Sequence, residues 1–114
     1  MNNQQMILWN KMRSMIRQNK RKFHDRNDRN IYEDLYDLGL TVEDAWKEIL
    51  QLNKHFYVID NMPFYNQSKN SLTFKKPIKQ KIAYIKLVLD ENDDVVACWS
   101  FHEDNDKNNK RCSK

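Results

Sequence analysis

The sequence predicts an α+β fold, in which N-terminal helices pack on one face of a roughly four-stranded antiparallel sheet. Apolar residues recur at helical spacing up to residue 52. From residue 55 to residue 104, β-branched and aromatic residues form strand-like runs separated by polar turns. Helices that precede a series of strands, rather than alternating with them, are typical of α+β proteins.

The first helix is predicted from Met6 to Lys20. Its basic outer face would also suit a membrane surface, but packing on the domain is the commoner use of such a helix. The next segment, Lys20 to Asn30, is polar and lacks a period, so we predict a loop or an irregular strand rich in donors for phosphate. In the first predicted helix, the apolar residues that form the buried stripe are Leu8, Trp9, Met12, Met15 and Ile16.

The second and third helices carry clear end signals. Asn30, with Glu33 three residues later, predicts an N-cap and a capping box. Gly39, the only glycine, lies where a left-handed C-cap belongs. Thr41 is expected to cap the third helix, whose first turn holds two acids, as the helix dipole favours. The residues expected on its buried face are Val42, Ala45, Trp46, Ile49 and Leu52.

Four strands are expected after the helices. The first runs from His55 to Ile59, and a loop from Asp60 to Asn70 follows. The second, Leu72 to Ile78, is assigned to a sheet edge because Pro77 cannot donate to a ladder. The last two form a hairpin from Lys81 to Asp104, whose turn is centred near Asn92.

Composition indicates one small folded domain. Mean hydropathy is low at −0.97, but three Trp, five Tyr and five Phe can supply a core. We assign residues 1–104 to a single domain and expect the polar tail, residues 105–114, to be disordered. No signal peptide or membrane span is evident, and the two cysteines do not suggest a disulfide framework, so we expect a cytoplasmic protein.

The net charge of +4 conceals blocks of opposite sign. Residues 1–30 carry eight basic and two acidic side chains, and residues 61–89 carry six lysines and no acid. Residues 31–60 and 90–114 are acidic overall. Such blocks can be solvated faces that cancel in the fold, but they also fit a polyanionic partner, of which nucleic acid is the leading candidate.

The hairpin provides the main candidate site. Side chains alternate between the two faces of a strand, so one face is expected to be apolar and the other polar. With the turn near Asn92, the polar face places Tyr84 opposite Ser100, with Lys86 and His102 close by. An ordinary solvated sheet face would also fit this pattern. The residues assigned to the apolar face are Ala83, Ile85, Leu87, Leu89, Val95, Ala97, Trp99 and Phe101.

The polar face has the groups needed to cleave RNA without a metal. When the RNA 2′-OH attacks the adjacent phosphorus, the reaction needs a base, an acid and a cation for the charged phosphorane. His102 suits proton transfer near neutral pH, Tyr84 can donate a hydrogen bond or a proton, and Lys86 can stabilise the phosphate. No metal signature, Gly-rich phosphate loop or nucleophilic triad is recognisable, so we expect no metal and no cofactor.

Other basic residues are candidates for binding RNA. Lys75 and Lys76 precede the hairpin, and the segment from Lys20 to Arg29 includes Arg26 and Arg29. Contacts of these side chains with the phosphate backbone should weaken as the salt concentration rises.

Two segments resemble MqsR-type mRNA interferases, which are toxins of bacterial toxin–antitoxin systems. They are LGLTVEDAWKEILQLNKHFYV, from Leu38 to Val58, and AYIKLVLDENDDVVACWSFHED, in which a Tyr-x-Lys strand precedes a strand ending in Ser-Phe. The interval between them and the place of Pro77 are also similar, and the likeness covers residues 31–104. The resemblance implies a RelE-like fold, metal-independent endoribonuclease activity on mRNA and a cognate antitoxin as partner.

The resemblance also assigns roles to residues. Tyr84 matches a tyrosine implicated in catalysis, and His102 stands where the family has a functional lysine after Ser-Phe. Val58 occupies the place of another functional lysine, and His55, Lys75 or Lys76 could replace that cation. The predicted catalytic residues are Tyr84, His102 and Lys86. The predicted substrate-binding residues are Lys75, Lys76, His55, Ser100, Arg26 and Arg29.

Two other functions fit the sequence. The first is a non-catalytic RNA- or protein-binding regulator on the same scaffold, which Val58 favours because a cation of the resembled family is missing there. The second is a structural or phage-encoded interaction protein. Neither alternative needs chemistry at His102, so substitution of that histidine separates both from the ribonuclease.

Overall fold

The computed structural model describes residues 1–25, 27–59 and 70–104. The predicted tail (105–114), the predicted loop up to residue 69, and Arg26 lie outside the described residues. The α+β class is confirmed. In chain order the elements are α1 (Asn3–Arg17), β1 (Arg21–Phe23), α2 (Ile31–Asp37), α3 (Val42–Leu50), a 3-10 helix (Lys54–Phe56), β2 (Tyr57–Val58), β3 (Ser71–Ile78), β4 (Lys81–Asp90) and β5 (Val95–Glu103).

The sheet has five strands in the order β1-β5-β4-β3-β2, and β1 runs parallel to β5. The prediction of a four-stranded, purely antiparallel sheet was therefore wrong. The strand that the prediction lacked, β1, lies in the charged segment for which a loop or an irregular strand was expected. Phe23 of β1 stacks on Trp46 of α3, at 4.9 Å between ring centroids, so burial of this ring holds a polar stretch in the sheet.

β3 lies second from the edge rather than at the edge itself. Its outer neighbour β2 has only two residues and pairs with Thr73 and Phe74. Pro77 lies beyond that pairing, so its missing N–H interrupts no described bond to β2. The expected strand from His55 to Ile59 is mostly replaced by the 3-10 helix, which leaves only Tyr57 and Val58 as β2.

Local capping chemistry explains where the helices begin. Asn30 accepts hydrogen bonds from the N–H groups of Tyr32 and Glu33, so the predicted N-cap is confirmed. Thr41 and Asp44 form a reciprocal capping box, and the backbone N–H of Thr41 is the main cause that lowers the pKa of the Asp44 carboxyl. α1 begins before the expected Met6, because Asn2 caps it.

No helix among the described residues is both long and apolar enough to cross a membrane.

All three helices pack on one face of the sheet and share one hydrophobic core with it. Trp9 of α1 contacts Phe74 of β3, at 5.2 Å between ring centroids, and its indole N–H donates to the carbonyl of Leu52 at 3.2 Å. The sheet residues in this core are Leu72, Phe74, Ile78, Ala83, Ile85, Leu87, Leu89, Val96, Cys98 and Phe101.

A β-bulge in β5 changes the predicted register of the hairpin. Lys86 pairs with Ser100, but the next residue, Leu87, pairs with Cys98, so Trp99 is an extra residue on β5. Tyr84 therefore lies opposite His102, not opposite Ser100. The extra residue also exchanges the core-facing and outward-facing positions of β5 for the residues that precede it. Val96 and Cys98 face the core, where Val95, Ala97 and Trp99 were expected, while Phe101 faces it as predicted.

Gly39 ends α2 with a positive φ of 73°, and the N–H of Leu40 bonds back to the carbonyl of Leu35. We expect Gly39→Ala to lower the free energy of unfolding by about 1 kcal/mol, because alanine is strained in this conformation. Urea denaturation followed by circular dichroism measures the change.

Gly39→Asn is the matched control, because asparagine tolerates a positive φ better than alanine does. It adds the same Cβ, which would lie 3.2 Å from the Nζ of Lys79, and should cost less than Gly39→Ala. If both variants lower the free energy of unfolding equally, the destabilisation comes from the contact with Lys79 and not from strain in the backbone.

Candidate active site

The face of the sheet that points away from the helices carries most of the predicted site, and we call it the polar face. It is defined by Lys75, Tyr84, Lys86, Ser100 and His102. Each of these residues alternates along its strand with a neighbour in the core. Strand pairing arranges them in two adjacent rows. The first row is Lys75–Tyr84–His102, and the second is Thr73–Lys86–Ser100.

All three predicted catalytic residues therefore lie together. Tyr84 and His102 are direct cross-strand neighbours, and their rings stack with centroids 5.3 Å apart and planes inclined by 20°. Lys86 lies two residues along β4 from Tyr84, on the same face, and pairs with Ser100. The prediction that grouped these residues on one face agrees with the structure, although the bulge changes which residue lies opposite which.

The contact of His102 with a backbone carbonyl assigns the tautomer of its neutral ring. Its Nδ1 lies 2.8 Å from the carbonyl oxygen of Glu103, and a carbonyl can only accept a hydrogen bond. Nδ1 therefore donates, and Nε2 is the basic nitrogen of the neutral ring. An imidazole held in this way is oriented for proton transfer through Nε2.

Lys86 provides a cation in the second row. Its side chain is almost fully buried, at 4% exposure, and Thr73 and Ser100 flank it in the register. Val58 pairs with Thr73, so it lies in this same row, two strands from Lys86. That separation is about 10 Å at the usual spacing between strands. The fold thus places Val58 and Lys86 in one row across the sheet.

Lys75 and Lys76 lie on opposite faces, because consecutive residues of a strand alternate. Lys75 belongs to the polar face, where its Nζ lies 3.0 Å from a carboxylate oxygen of Asp104. Lys76 turns toward α3, forms an ion pair with Glu48 and donates to the side chain of Gln51. The structure therefore does not bring Lys76 to the predicted site, and its charge supports the packing of α3 on the sheet.

Two further predicted substrate-binding residues, His55 and Arg29, lie apart from the two rows. His55 is an exposed residue of the 3-10 helix. Arg29 forms a two-pronged ion pair with Asp34, at 2.9 and 3.0 Å, and this hydrogen bonding raises the pKa of its guanidinium. Arg26 falls outside the described residues.

The sequence interpretation missed one feature beside the site. The ring of His24 stacks on that of Trp99, with centroids 3.7 Å apart and planes inclined by only 6°. No alternation marks this segment as a strand, because Phe23 is the one apolar residue between Arg21 and His24. The partner ring, Trp99, lies far along the chain, so no local signal could have identified the stack.

No group of three His, Cys, Asp or Glu side chains within the described ranges could hold a metal ion. The thiol of Cys98 is fully buried in the sheet, and burial raises its pKa far above the ordinary value. Because the nucleophilic form of cysteine is the thiolate, Cys98 does not belong to the reactive groups of the site.

Comparison of the chain with protein-family models, with curated proteins and with solved structures found no match. The resemblance to MqsR-type interferases therefore rests on the two sequence segments quoted above. What the structure adds is the arrangement of this chain's own side chains on the polar face.

The different roles of the two adjacent lysines can be tested by stability. We expect Lys76→Met to lower the free energy of unfolding by about 1–2 kcal/mol, because it leaves the half-buried carboxylate of Glu48 without its cation. Lys75→Met should lower the free energy of unfolding by a smaller amount. Urea denaturation measures both changes.

The double variant Lys76→Met, Glu48→Met serves as the control. It removes both charges and should recover most of the stability lost in Lys76→Met, since no unpaired carboxylate remains. A loss in the double variant as large as that in the single one would contradict the structural role assigned to this ion pair.

Proposed function

We propose that this protein is a small endoribonuclease with a RelE-like fold that cleaves mRNA without a metal ion, as toxins of toxin–antitoxin systems do. The observation that carries the proposal is the joint position of Tyr84, Lys86 and His102 on one face of the sheet. His102 is a proton-transfer group, Tyr84 is a hydroxyl donor and Lys86 is a cation. Attack of a 2′-OH on phosphorus requires these three groups.

In the proposed reaction, Nε2 of His102 takes the proton from the 2′-OH as the new P–O2′ bond forms. Tyr84 donates a proton to the 5′-oxygen as the P–O5′ bond breaks, and the phenolate then regains a proton from the imidazolium of His102. Lys86 stabilises the negative charge on the phosphorane, and its burial strengthens this interaction because less water screens it. The products are a 2′,3′-cyclic phosphate and a 5′-hydroxyl.

Two residues support substrate binding in this proposal, one with a cation and one with a hydroxyl. Lys75 lies in the row of Tyr84 and His102, where its ion pair with Asp104 orients the ammonium group. Ser100 pairs with Lys86 and adds a hydroxyl beside the phosphate site. The resemblance further implies that a separate antitoxin protein holds the ribonuclease inactive in the cytoplasm.

The decisive experiment is cleavage of an mRNA by the purified protein in the presence of EDTA. The wild type should cleave, and His102→Ala should reduce the rate by about 10²–10⁴-fold, the usual contribution of a general acid or base. Tyr84→Phe should also reduce it. The ends of the fragments, analysed by mass spectrometry, should carry cyclic phosphate.

Tyr36→Phe is the matched control for Tyr84→Phe, because Tyr36 is 82% exposed on α2, away from the polar face. This variant should cleave at the wild-type rate. Intact mRNA after incubation with the wild type, at protein concentrations in excess of the RNA, would refute the proposed function.

A non-catalytic regulator on the same scaffold is the second candidate. Two features favour it: Val58 lies in the second row at the position where the resemblance implies a cation, and Asp104 partly neutralises Lys75. If the regulator is correct, expression in a bacterial host should produce its growth effect equally with His102→Ala, and the host mRNA should stay intact. Growth arrest relieved by His102→Ala, with mRNA cleavage in the wild type, excludes this candidate.

A further inference from the structure

The His24–Trp99 pair is an aromatic surface that the proposed chemistry does not use. Of the three tryptophans, Trp9 and Trp46 are buried in the core, whereas Trp99 is only half-buried. His24 covers Trp99 in a parallel stack at 3.7 Å. Ring pairs in protein cores more often adopt offset or edge-to-face arrangements, so a flat stack in a partly exposed position is unusual.

The backbone holds both rings in place. The N–H of His24 donates to the carbonyl of Cys98 at 2.9 Å, which continues the β1–β5 ladder one residue beyond Phe23. Trp99 follows Cys98 directly and is the extra residue of the bulge. A surface fixed in this way loses little conformational entropy when a planar ligand stacks on it.

The pair lies close to the proposed catalytic residues. Trp99 precedes His102 by three positions on β5, which corresponds to about 10 Å along a strand. Trp99 also borders a cleft with Val88 and Ala97, two residues that lie opposite each other in the register and point away from the core. Trp99 and His102 are therefore on the same side of the sheet, within reach of neighbouring nucleotides of one RNA strand.

The surroundings of the pair suit a nucleobase better than a phosphate. The cleft beside both rings also contains Lys22 and Asp90, and these two form an ion pair at 3.5 Å. A second cleft adjoins His24 and is lined in part by Asn27 and by Arg29, whose guanidinium pairs with Asp34. The cations of both clefts are thus paired with carboxylates, which weakens their attraction for phosphate, whereas an amide such as that of Asn27 can bind the edge of a base.

We propose that the His24–Trp99 pair binds a base of single-stranded RNA by stacking, next to the phosphate that is cleaved. The identification of RNA as the ligand rests on the proposed function, but the stacking itself can be measured without any cleavage. His24 and Trp99 are then substrate-binding residues, and they help to select unpaired RNA, because bases in a duplex do not expose their faces.

The test compares two fluorescently labelled decamers by anisotropy. One is a 2′-O-methyl oligouridylate, which cannot be cleaved because its 2′-oxygen is blocked. The other is an abasic chain with the same number of phosphates. The wild type should bind the base-bearing decamer about tenfold more tightly, within the range that base–aromatic stacking provides. Equal affinities for the two decamers would overturn the proposal.

Substitutions identify the residues that cause the preference for the base-bearing decamer. Trp99→Leu and His24→Leu should each remove most of it while leaving the affinity for the abasic decamer unchanged, and Trp99→Phe should retain most of it. Tyr36→Leu, which removes an exposed aromatic ring elsewhere, should behave like the wild type. A preference that persists in both Trp99→Leu and His24→Leu would also overturn the proposal.

The same experiment separates failure of this proposal from failure of the proposed function. A base preference that depends on Trp99, in a protein that leaves mRNA intact, would support the stacking site and refute the ribonuclease. Cleavage of mRNA by a protein without any base preference would support the ribonuclease and refute the stacking site.

Discussion

The bulge at Trp99 is the constraint on which the two faces of the sheet depend. A regular β5 cannot place Val96, Cys98 and Phe101 in the core together, because the spacing between Cys98 and Phe101 is odd. One extra residue resolves the conflict, and Ser100 and His102 then face away from the helices. The same residue allows the indole of Trp99 to stack on His24. The core, the candidate site and the His24–Trp99 pair therefore all depend on this bulge.

Charge is distributed according to the fold rather than according to the blocks in the sequence. Lys22 of β1 forms ion pairs with Asp90 and Asp93 at the β4–β5 turn, and Lys20 pairs with Asp94. The backbone N–H of Asp93 is the main cause that lowers the pKa of the Asp90 carboxyl. Two of the eight basic residues of the N-terminal block, Lys20 and Lys22, therefore pair with carboxylates at the hairpin turn.

The polar face combines a small number of groups whose positions are well determined. His102 is oriented by the carbonyl of Glu103 and by the ring of Tyr84. Lys86 is buried between Thr73 and Ser100 in the register. Groups held by a regular sheet are placed more accurately than groups on loops, and such preorganisation is what metal-free catalysis requires. The proposed ribonuclease uses the sheet itself as its scaffold.

The sequence alone determined the features that depend on residues close along the chain. Asn30, Thr41 and Gly39 mark helix ends because capping involves only a few neighbouring residues. The alternation in β4 identified its core face, and it also placed Tyr84 and Lys86 together. The alternation in β5 placed His102 on the same face, and it holds from Ser100 onward although the bulge reverses it before Trp99.

Only the tertiary structure decided the features that depend on distant partners. β1 pairs with β5 because Phe23 is buried against Trp46, and no local pattern reveals such a contact. The bulge depends on how β5 fits both β4 and the core, so the register of the hairpin could not be read from its turn. Lys76 is bound to Glu48 of α3, whereas its neighbour Lys75 lies at the candidate site. The sequence shows two adjacent lysines, and the packing of α3 on one face of the sheet makes one of them structural.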